Sequence, residues 1–306
     1  MTKVFIDGSA GTTGLRIVER LSERKDLQLL ILSEELRKEP SARAEALANA
    51  DIAFLCLPDD AAKGSVALAG ASKVKIIDTS TAHRTDPNWV YGMPELAGQR
   101  ARIEASARIA NPGCHASGFI ALVAPLVQQG ILPKDANLSC FSLTGYSGGG
   151  KKMIAQYEDP ARPGLYDAPR QYALGQTHKH LPEMGAVCGL DKAPIFCPIV
   201  GDFYSGMEVT VPLFANQLKG SMEDIQALYK NYYQTGLIRY EEADDDGLLS
   251  ACAYSGRDDM GVSVFGNGER IILTARFDNL GKGASGAAIQ NMNILLGLPE
   301  ATGLSV

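Results

Sequence analysis

Three glycines, Gly8, Gly11 and Gly14, stand where the apolar strand Lys3-Val4-Phe5-Ile6 gives way to a helical pattern beginning near Thr12-Thr13. Glycine lets the main chain of such a turn approach a diphosphate, and the helix start behind it offers unpaired N–H groups and the positive end of a dipole. The spacing is G-x-x-G-x-x-G instead of the commoner G-x-G-x-x-G. Alone, the turn reads either as a nucleotide cradle made by Gly8, Gly11, Thr12, Thr13 and Gly14 or as a glycine-rich corner with no ligand. The segments that follow constrain the fold further. Residues 27–32, 51–58 and 74–78 are short, nearly continuous apolar runs, and a helix opened by Asp59 lies between the last two. Strands of this kind are buried on both faces, which predicts a parallel sheet covered by helices: an α/β, Rossmann-type doubly wound domain.

Ligands of such a sheet bind beyond the C-terminal ends of its strands, and residues 33–38 follow the second strand, where an adenosine ribose would lie. Glu34 suits a free 2′-hydroxyl, whereas Ser33, Arg37 and Lys38 suit a 2′-phosphate. The same residues also read as a solvated helix start. By itself the segment does not choose between NAD and NADP.

From about residue 137 the pattern changes. Residues 193–201, 207–214, 261–266 and 270–278 read as longer strands with fewer crossovers. Asn267-Gly268 predicts a hairpin between the last two, because both residues tolerate positive φ. Ser221 reads as the N-cap of a helix with Ile225, Leu228, Tyr229 and Tyr232 on one stripe. An α+β second domain with a mixed or antiparallel sheet is implied. Residues 283–296, apolar at helical spacing, are expected to return to the first domain, giving a division into 1–114 with 283–306, and 115–282.

Cys114 ends the turn Asn111-Pro112-Gly113-Cys114, and a helical pattern follows to Val127, with Pro125 expected to kink it. A free thiol of pKa ~8.5 is only a few per cent ionised at neutral pH, and a helix dipole with a nearby imidazolium lowers that value. His178 and His180 are two apart, so on an extended segment they face one side, one as acid/base and the other toward substrate. Two surface histidines on a loop, or a metal pair, are the alternatives; the absence of a third ligand nearby disfavours the metal. His83 and His115 are weaker acid/base candidates, and His115 should point elsewhere along the helix. The other cysteines form no C-x-x-C pair, and no metal site is expected. Cys56, Cys140 and Cys197 read as small buried hydrophobes in a reducing compartment.

With 306 residues, 45% hydrophobic and 21% charged, the chain is long enough for about two domains with full cores. Its first residues run directly into a strand, and no apolar run approaches ~18 residues, so secretion and membrane insertion lack support and a cytoplasmic home is expected. A net charge of -6 argues against nucleic acid as a partner. An anionic ligand would have to be held by local cations and backbone dipoles.

Together these residues resemble the N-acetyl-gamma-glutamyl-phosphate reductase family in its shorter form. The matching motifs are residues 8–14, Asp78-Thr79-Ser80-Thr81-Ala82-His83-Arg84, Tyr91-Gly92-Met93-Pro94-Glu95-Leu96, and residues 111–114, 144–151, 178–183 and 278–293. They span nearly the whole chain in the family's order, and the set is far more specific than any member.

The resemblance implies a Rossmann domain completed by the C-terminal helix and a second domain similar to that of aspartate-semialdehyde dehydrogenase. It implies NADP as cofactor, bound by Gly8, Gly11, Thr12, Thr13, Gly14, Ser33, Arg37 and Asn291, and a homodimer or homotetramer. It further implies that Cys114 attacks a small-molecule acyl phosphate to leave a thioester, a good hydride acceptor, while His178 or His180 shuttles the proton. Ser147 and the N–H groups of Gly148 to Gly150 resemble an anion cradle, Lys151 adds charge, Arg84 suits a substrate carboxylate, and Glu183 belongs to the substrate side. Without the family, Ser147 to Gly150 read as a flexible turn and Arg84 as a surface ion pair. Two rival readings stand beside this one: a relative acting on N-acetyl-aminoadipyl or aspartyl phosphate, and a nicotinamide-sensing regulator in which the cysteine is incidental.

Overall fold

The computed structural model describes residues 1–242 and 247–306. The chain divides into two compact units, Met1–Pro112 with Ala284–Leu304, and Gly113–Gly283 with Ser305–Val306.

In the first unit, β1 (Thr2–Asp7), α1 (Thr12–Ser22), β2 (Leu27–Leu30), α2 (Pro40–Asn49), β3 (Ile52–Leu55), α3 (Asp59–Ala69), β4 (Lys75–Asp78), β5 (Val90–Tyr91), α4 (Gln99–Glu104) and β6 (Arg108–Ala110) follow one another. The strands form a six-stranded sheet in the order β2-β1-β3-β4-β6-β5, every pairing parallel. Successive side chains of a strand point to opposite faces, and here both faces are dry. Val4, Ile6, Ile52, Phe54 and Ile77 join one core cluster with Ile17 and Leu21 of α1. Phe5, Ala53, Leu55 and Ile76 join the other with Leu47 of α2 and Ala62 of α3. That double burial is why the strands show no polar alternation, and it is the doubly wound arrangement expected.

The second unit runs through α5 (Cys114–Gln128), β7 (Ser139–Gly145), α6 (Gly150–Glu158), β8 (Arg170–Gln171), α7 (Leu181–Cys188), β9 (Ile195–Gly201), β10 (Met207–Phe214), α8 (Met222–Tyr232), β11 (Ile238–Tyr240), β12 (Met260–Gly266) and β13 (Arg270–Phe277). Its seven-stranded sheet has the order β11-β12-β13-β10-β7-β9-β8. The β7–β9 and β11–β12 pairings are parallel and the others antiparallel, so the sheet is mixed. On one face Phe141, Ile195, Phe214 and Ile272 stay 42–61% exposed. Cys197 shares that face and is only partly covered, and Cys56 is partly covered too, so of the three cysteines read as buried hydrophobes only Cys140 is fully so.

One local expectation is corrected. The 267–268 hairpin forms between β12 and β13, but positive φ falls on Gly266, at 132°, and on neither Asn267 nor Gly268. The turn is instead closed by the Asn267 side chain, whose Oδ1 accepts from the N–H groups of Glu269 and Arg270 at 2.9 and 3.0 Å. Pro125 lies inside α5, which runs on to Gln128. A proline has no N–H to offer the carbonyl four residues back, and the Tyr233 hydroxyl donates to that carbonyl, Ala121 O, at 2.5 Å. Tyr229 of α8 donates likewise to Leu122 O. At the start of α8, Ser221 caps as expected, accepting from Asp224 N at 3.2 Å while the Asp224 carboxylate accepts from Ser221 N at 2.8 Å.

The last helix, α9 (Gly286–Leu295), belongs to the first unit, where Ala288, Ile289, Met292 and Leu295 enter the cluster around Val4 and Ile6. Lys75 Nζ donates to Leu295 O at 3.0 Å at its C-terminal end, a place where the helix dipole favours a cation.

Removing the Tyr233 hydroxyl tests the account of α5. Tyr233→Phe leaves Ala121 O buried without its donor and should destabilise the fold by about 1–3 kcal/mol, measured as a shift of the urea midpoint. Adding Pro125→Ala supplies an N–H to the same carbonyl and should recover part of the loss. A double variant no more stable than Tyr233→Phe would refute this.

Candidate active site

Cys114 is the first residue of α5, preceded by Gly113 in extended conformation with φ -80° and ψ 146°. Pro112 keeps the chain before it out of the helix. Gly113 has no side chain to cap the helix start, and its N–H donates at 3.2 Å to Oε2 of Glu183, which is 1% exposed in the first turn of α7. Glu183, expected on the substrate side, therefore holds the start of the cysteine helix. Gly283 approaches the thiol from elsewhere in the unit: a β-carbon at 283 would lie 2.9 Å from Cys114 Cβ. Only glycine leaves that space, a requirement that the sequence reading missed.

His178 and His180 lie just before α7, with ring centroids 4.7 Å apart, and His180 N donates to His178 Nδ1 at 3.2 Å. The His115 ring sits 5.6 Å from each of them. This is a correction to the expectation that His115 points elsewhere. It is 4% exposed, with Nδ1 2.7 Å from Ser142 Oγ and Nε2 2.7 Å from Tyr172 Oη. Burial, reinforced by His178 and Lys179, lowers its pKa from the ordinary 6.5 to about 3, so it stays neutral. Burial and the nearby Cys114 charge together raise the Tyr172 pKa, which keeps that hydroxyl protonated. Neither Ser142 nor Tyr172 belongs to a sequence motif that would have revealed it.

Tyr172 and His178 end a short loop in which Ala173 and Gln176 have positive φ, 51° and 54°. The Gln176 amide clamps the loop to β9, donating to Phe196 O at 2.8 Å and accepting from Phe196 N at 2.9 Å.

Ser147 follows β7 and is buried; Asn279 Nδ2 donates to its oxygen at 3.0 Å, which leaves the Ser147 hydrogen available. Of the expected N–H cradle, Ser147 N is used by Tyr204 O and Gly150 N by Ser147 O. Gly148 lies between them, and Lys151 is exposed at the start of α6. Asp278 and Asn279, in the motif 278–293, serve the main chain. Asp278 accepts from Gly256, Leu280 and Gly281 N–H groups, and Asn279 from Gly206 N.

In the first unit, Gly8 has φ +89° and a β-carbon there would lie 2.3 Å from Cys56 O; one on Gly14 would lie 2.3 Å from Gly8 O. Thr12, Thr13 and Gly14 form the first turn of α1 behind Gly11, which is its N-cap. Beside this cradle a cavity of about 230 Å³ is lined by Asp7, Gly8, Ser9, Leu32, Arg37, Lys38 and Leu57. A close-approach glycine turn, a helix start and an adjoining cavity at the ends of β1 and β2 fit a dinucleotide. Arg37 pairs with Glu34 at 2.6 Å, and Ser33 bonds to the Glu35 carboxylate, lowering its pKa. Asp7 is neutralised by Arg43 at 2.9 Å.

Arg84 differs from its expectation. It is 9% exposed, and its Nε and Nη2 donate to the carbonyls of Asn111 and Thr79 at 2.9 and 3.1 Å. That edge of the guanidinium is committed to the main chain leading to Cys114. Asn291 donates to Gly92 O at 2.9 Å and to Asn111 Oδ1 at 3.2 Å, while its own buried Oδ1 has no hydrogen-bond partner. Among the described residues no group of His, Cys, Asp and Glu could hold a metal ion, and no helix is long and apolar enough to cross a membrane.

Residues 3–105 match the family model of a semialdehyde dehydrogenase, NAD binding domain, and residues 114–279 that of a semialdehyde dehydrogenase, dimerisation domain. The chain is 45% identical to N-acetyl-gamma-glutamyl-phosphate reductase 2 of Nostoc sp., over 99% of each chain. It is 47% identical to N-acetyl-gamma-glutamyl-phosphate reductase of Brucella ovis, over 96% of this chain and 99% of the relative. The chain belongs to the N-acetyl-gamma-glutamyl-phosphate reductase family. Its cofactor is accordingly a nicotinamide dinucleotide, and its second unit is of the dimerising type. Aspartate semialdehyde dehydrogenase II from Vibrio cholerae, complexed with ASA, has the same fold, with TM-score 0.75 at 18% identity over 97% of this chain and 98% of that one. So has the Candida albicans enzyme solved with NADP, with TM-score 0.69 at 16% identity over 97% and 98%.

The neutral state of His115 has a consequence for acid stability. In the unfolded chain the imidazole titrates near 6.5, and in the folded one near 3. Between these values the unfolded state binds the extra proton, so stability falls as pH falls, by at most about 1.4 kcal/mol per pH unit from this group. His115→Gln should flatten the curve of urea midpoint against pH between about pH 6 and pH 4. The same slope in both proteins would show that the imidazole does not titrate as described.

Proposed function

We propose that this reductase converts N-acetyl-L-glutamyl 5-phosphate to N-acetyl-L-glutamate 5-semialdehyde with NADPH, releasing phosphate, as a step of arginine biosynthesis. The observation that carries the reading is a cysteine at the first residue of a buried helix, in a chain 45% identical over 99% of its length to a reductase of that name.

The positive end of the α5 dipole favours the thiolate of Cys114. Its sulfur attacks the acyl carbon, the C–S bond forms, the C–O bond to phosphate breaks, and phosphate leaves a thioester. The Ser147 hydroxyl, with Gly148 N–H and the Lys151 charge, serves the departing anion. When bound, the reduced nicotinamide supplies the hydride that brings the acyl group to the aldehyde level. His178 or His180 gives a proton to the oxyanion so formed and takes it back as the C–S bond breaks and the thiolate returns. Arg84 and Glu183 hold the two sides of the turn before Cys114, the first through Asn111 O and the second through Gly113 N.

For the cofactor, Gly8, Gly11, Thr12, Thr13 and Gly14 would hold the diphosphate and Asn291 the nicotinamide amide, whose N–H suits the open Asn291 oxygen. Arg37, with Ser33 and Lys38, would exchange Glu34 for the 2′-phosphate; NADP itself is named from the family resemblance. The free thiols fit a reducing, cytoplasmic compartment.

Phosphate-dependent oxidation of the semialdehyde, followed with NADP and NAD in parallel, tests the reading. Cys114→Ala should lower the rate at least about a thousandfold while cofactor binding persists, and NADP should be preferred. Faster turnover of N-acetyl-aminoadipyl or aspartyl phosphate would assign the relative's reaction instead. Activity surviving in Cys114→Ala would end the mechanism, and binding without turnover in the wild type would favour a sensor.

Self-association is assigned to the apolar face of the mixed sheet around Phe141, Ile195, Phe214 and Ile272, an exposed patch of the kind that marks an interface. Light scattering should show a homodimer or homotetramer for the wild type and a smaller species for Phe141→Lys with Ile195→Lys. An unchanged assembly would move the interface elsewhere.

A further inference from the structure

His115 takes no part in the chemistry just described, yet both sides of its ring are engaged. Both of its ring nitrogens lie 2.7 Å from a hydroxyl, Ser142 Oγ on one side and Tyr172 Oη on the other. A neutral imidazole donates from one nitrogen and accepts at the other, so two proton arrangements are available. If Nδ1–H donated to Ser142, the fully buried Ser142 hydroxyl would need another acceptor for its own hydrogen, and the imidazole is its hydrogen-bond partner here. The Tyr172 hydrogen would then be taken up by Nε2. In the other arrangement every hydrogen has a place. Ser142 O–H donates to Nδ1, Nε2–H donates to Tyr172 Oη, and the Tyr172 hydrogen points away from His115.

The direction in which it points is limited. The Tyr172 main chain is pinned through Tyr172 N to Pro198 O at 3.0 Å, and the loop behind it is clamped by the Gln176 amide on Phe196. Little freedom is left beyond rotation of the O–H bond. Tyr172 Oη lies 2.7 Å from the ring of His115, the residue that follows Cys114 at the start of α5, and the thiol's charge acts on this hydroxyl.

We propose that His115 is a positioning residue, held by Ser142 as the Nε2–H tautomer, which reserves the Tyr172 hydroxyl hydrogen for the oxyanion that develops on the acyl oxygen of the substrate at Cys114. The hydroxyl donates a hydrogen bond and keeps its proton throughout. The inference rests on the acyl-phosphate reductase reading, and it adds a donor that is prepared by a third residue.

The test is a double-mutant cycle. His115→Leu and Tyr172→Phe should each lower kcat about 10- to 100-fold, less than the direct loss of an oxyanion donor at its largest, with KM for the acyl phosphate changed little. The double variant should be no slower than the slower single one, because both remove the same hydrogen bond. His115→Gln, whose amide N–H reaches the Nε2 position, should recover part of the rate, and Ser142→Ala should lose part of it. Losses that multiply, or an unaltered kcat in His115→Leu, would overturn the proposal. Should His115→Leu fail to fold, the Gln and Ser142→Ala variants carry the comparison. Nitrogen-15 shifts of His115 in the resting wild type give an independent reading: protonated Nε2 is expected, and protonated Nδ1 overturns it. That measurement needs no turnover, whereas an inactive wild type would sink the parent reading alone.

Discussion

The start of α5 carries the cysteine proposed as nucleophile, and its cap comes from a different helix. Gly113 supplies the extended backbone that a helix start needs but no side-chain oxygen. The carboxylate of Glu183, in the first turn of α7, accepts the Gly113 N–H in its place. A helix end carries roughly half a positive charge, which favours a thiolate at the first residue, and a carboxylate at the same end works against it. The imidazoles of His178 and His180 enter on the same stretch of chain that delivers Glu183. The segment that steadies the helix thus also delivers the groups able to offset its charge and move a proton. Cap, acid/base candidates and Cys114 are thereby coupled through the packing of α5 on α7 and the segment before it.

The remainder of α5 is apolar and almost wholly buried, so its orientation is fixed from all sides. Pro125 removes one of its internal bonds without ending it, because α8 and the residue after it bring the Tyr229 and Tyr233 hydroxyls to the exposed carbonyls. Gly118 permits close contact with the sheet, since a β-carbon there would lie 2.5 Å from Val209. A helix held this firmly keeps its first residue in place without restraint on the thiol itself.

What the sequence made legible follows from how local each signal is. Cys114, the two histidines and the glycine turn occupy contiguous motifs, and each needs only its own neighbours to be singled out as a candidate. Ser142, Tyr172 and Gly283 became site residues through sheet register and helix packing, which no local pattern encodes. His115 was placed facing away by helical geometry alone. Its ring instead lies between Ser142 and Tyr172 and beside the other two imidazoles. Arg84 and Glu183 were placed on the substrate side by the family resemblance, and without it Arg84 read as a surface ion pair. Both are buried, and buried charged groups must find partners; here the main-chain groups flanking Cys114 provide them. The hairpin at residues 266–271 was located correctly and for the wrong reason, since a side-chain acceptor on Asn267 shapes the turn and a glycine one residue earlier takes the positive φ.

The loop from Tyr172 to His178 shows where the structure accepts strain. Left-handed backbone at a residue with a β-carbon costs roughly 1–2 kcal/mol, and Ala173 and Gln176 both adopt it. Two hydrogen bonds from the Gln176 amide to Phe196 offset part of that cost, each worth about 1 kcal/mol net. A relaxed loop of ordinary turn residues would connect the same strand and helix. It would not fix both of its ends, however, and here one end is the hydroxyl beside Cys114 and the other is an imidazole of the cluster. The conformation that is locally unfavourable is the one that holds Tyr172 and His178 in register with the start of α5.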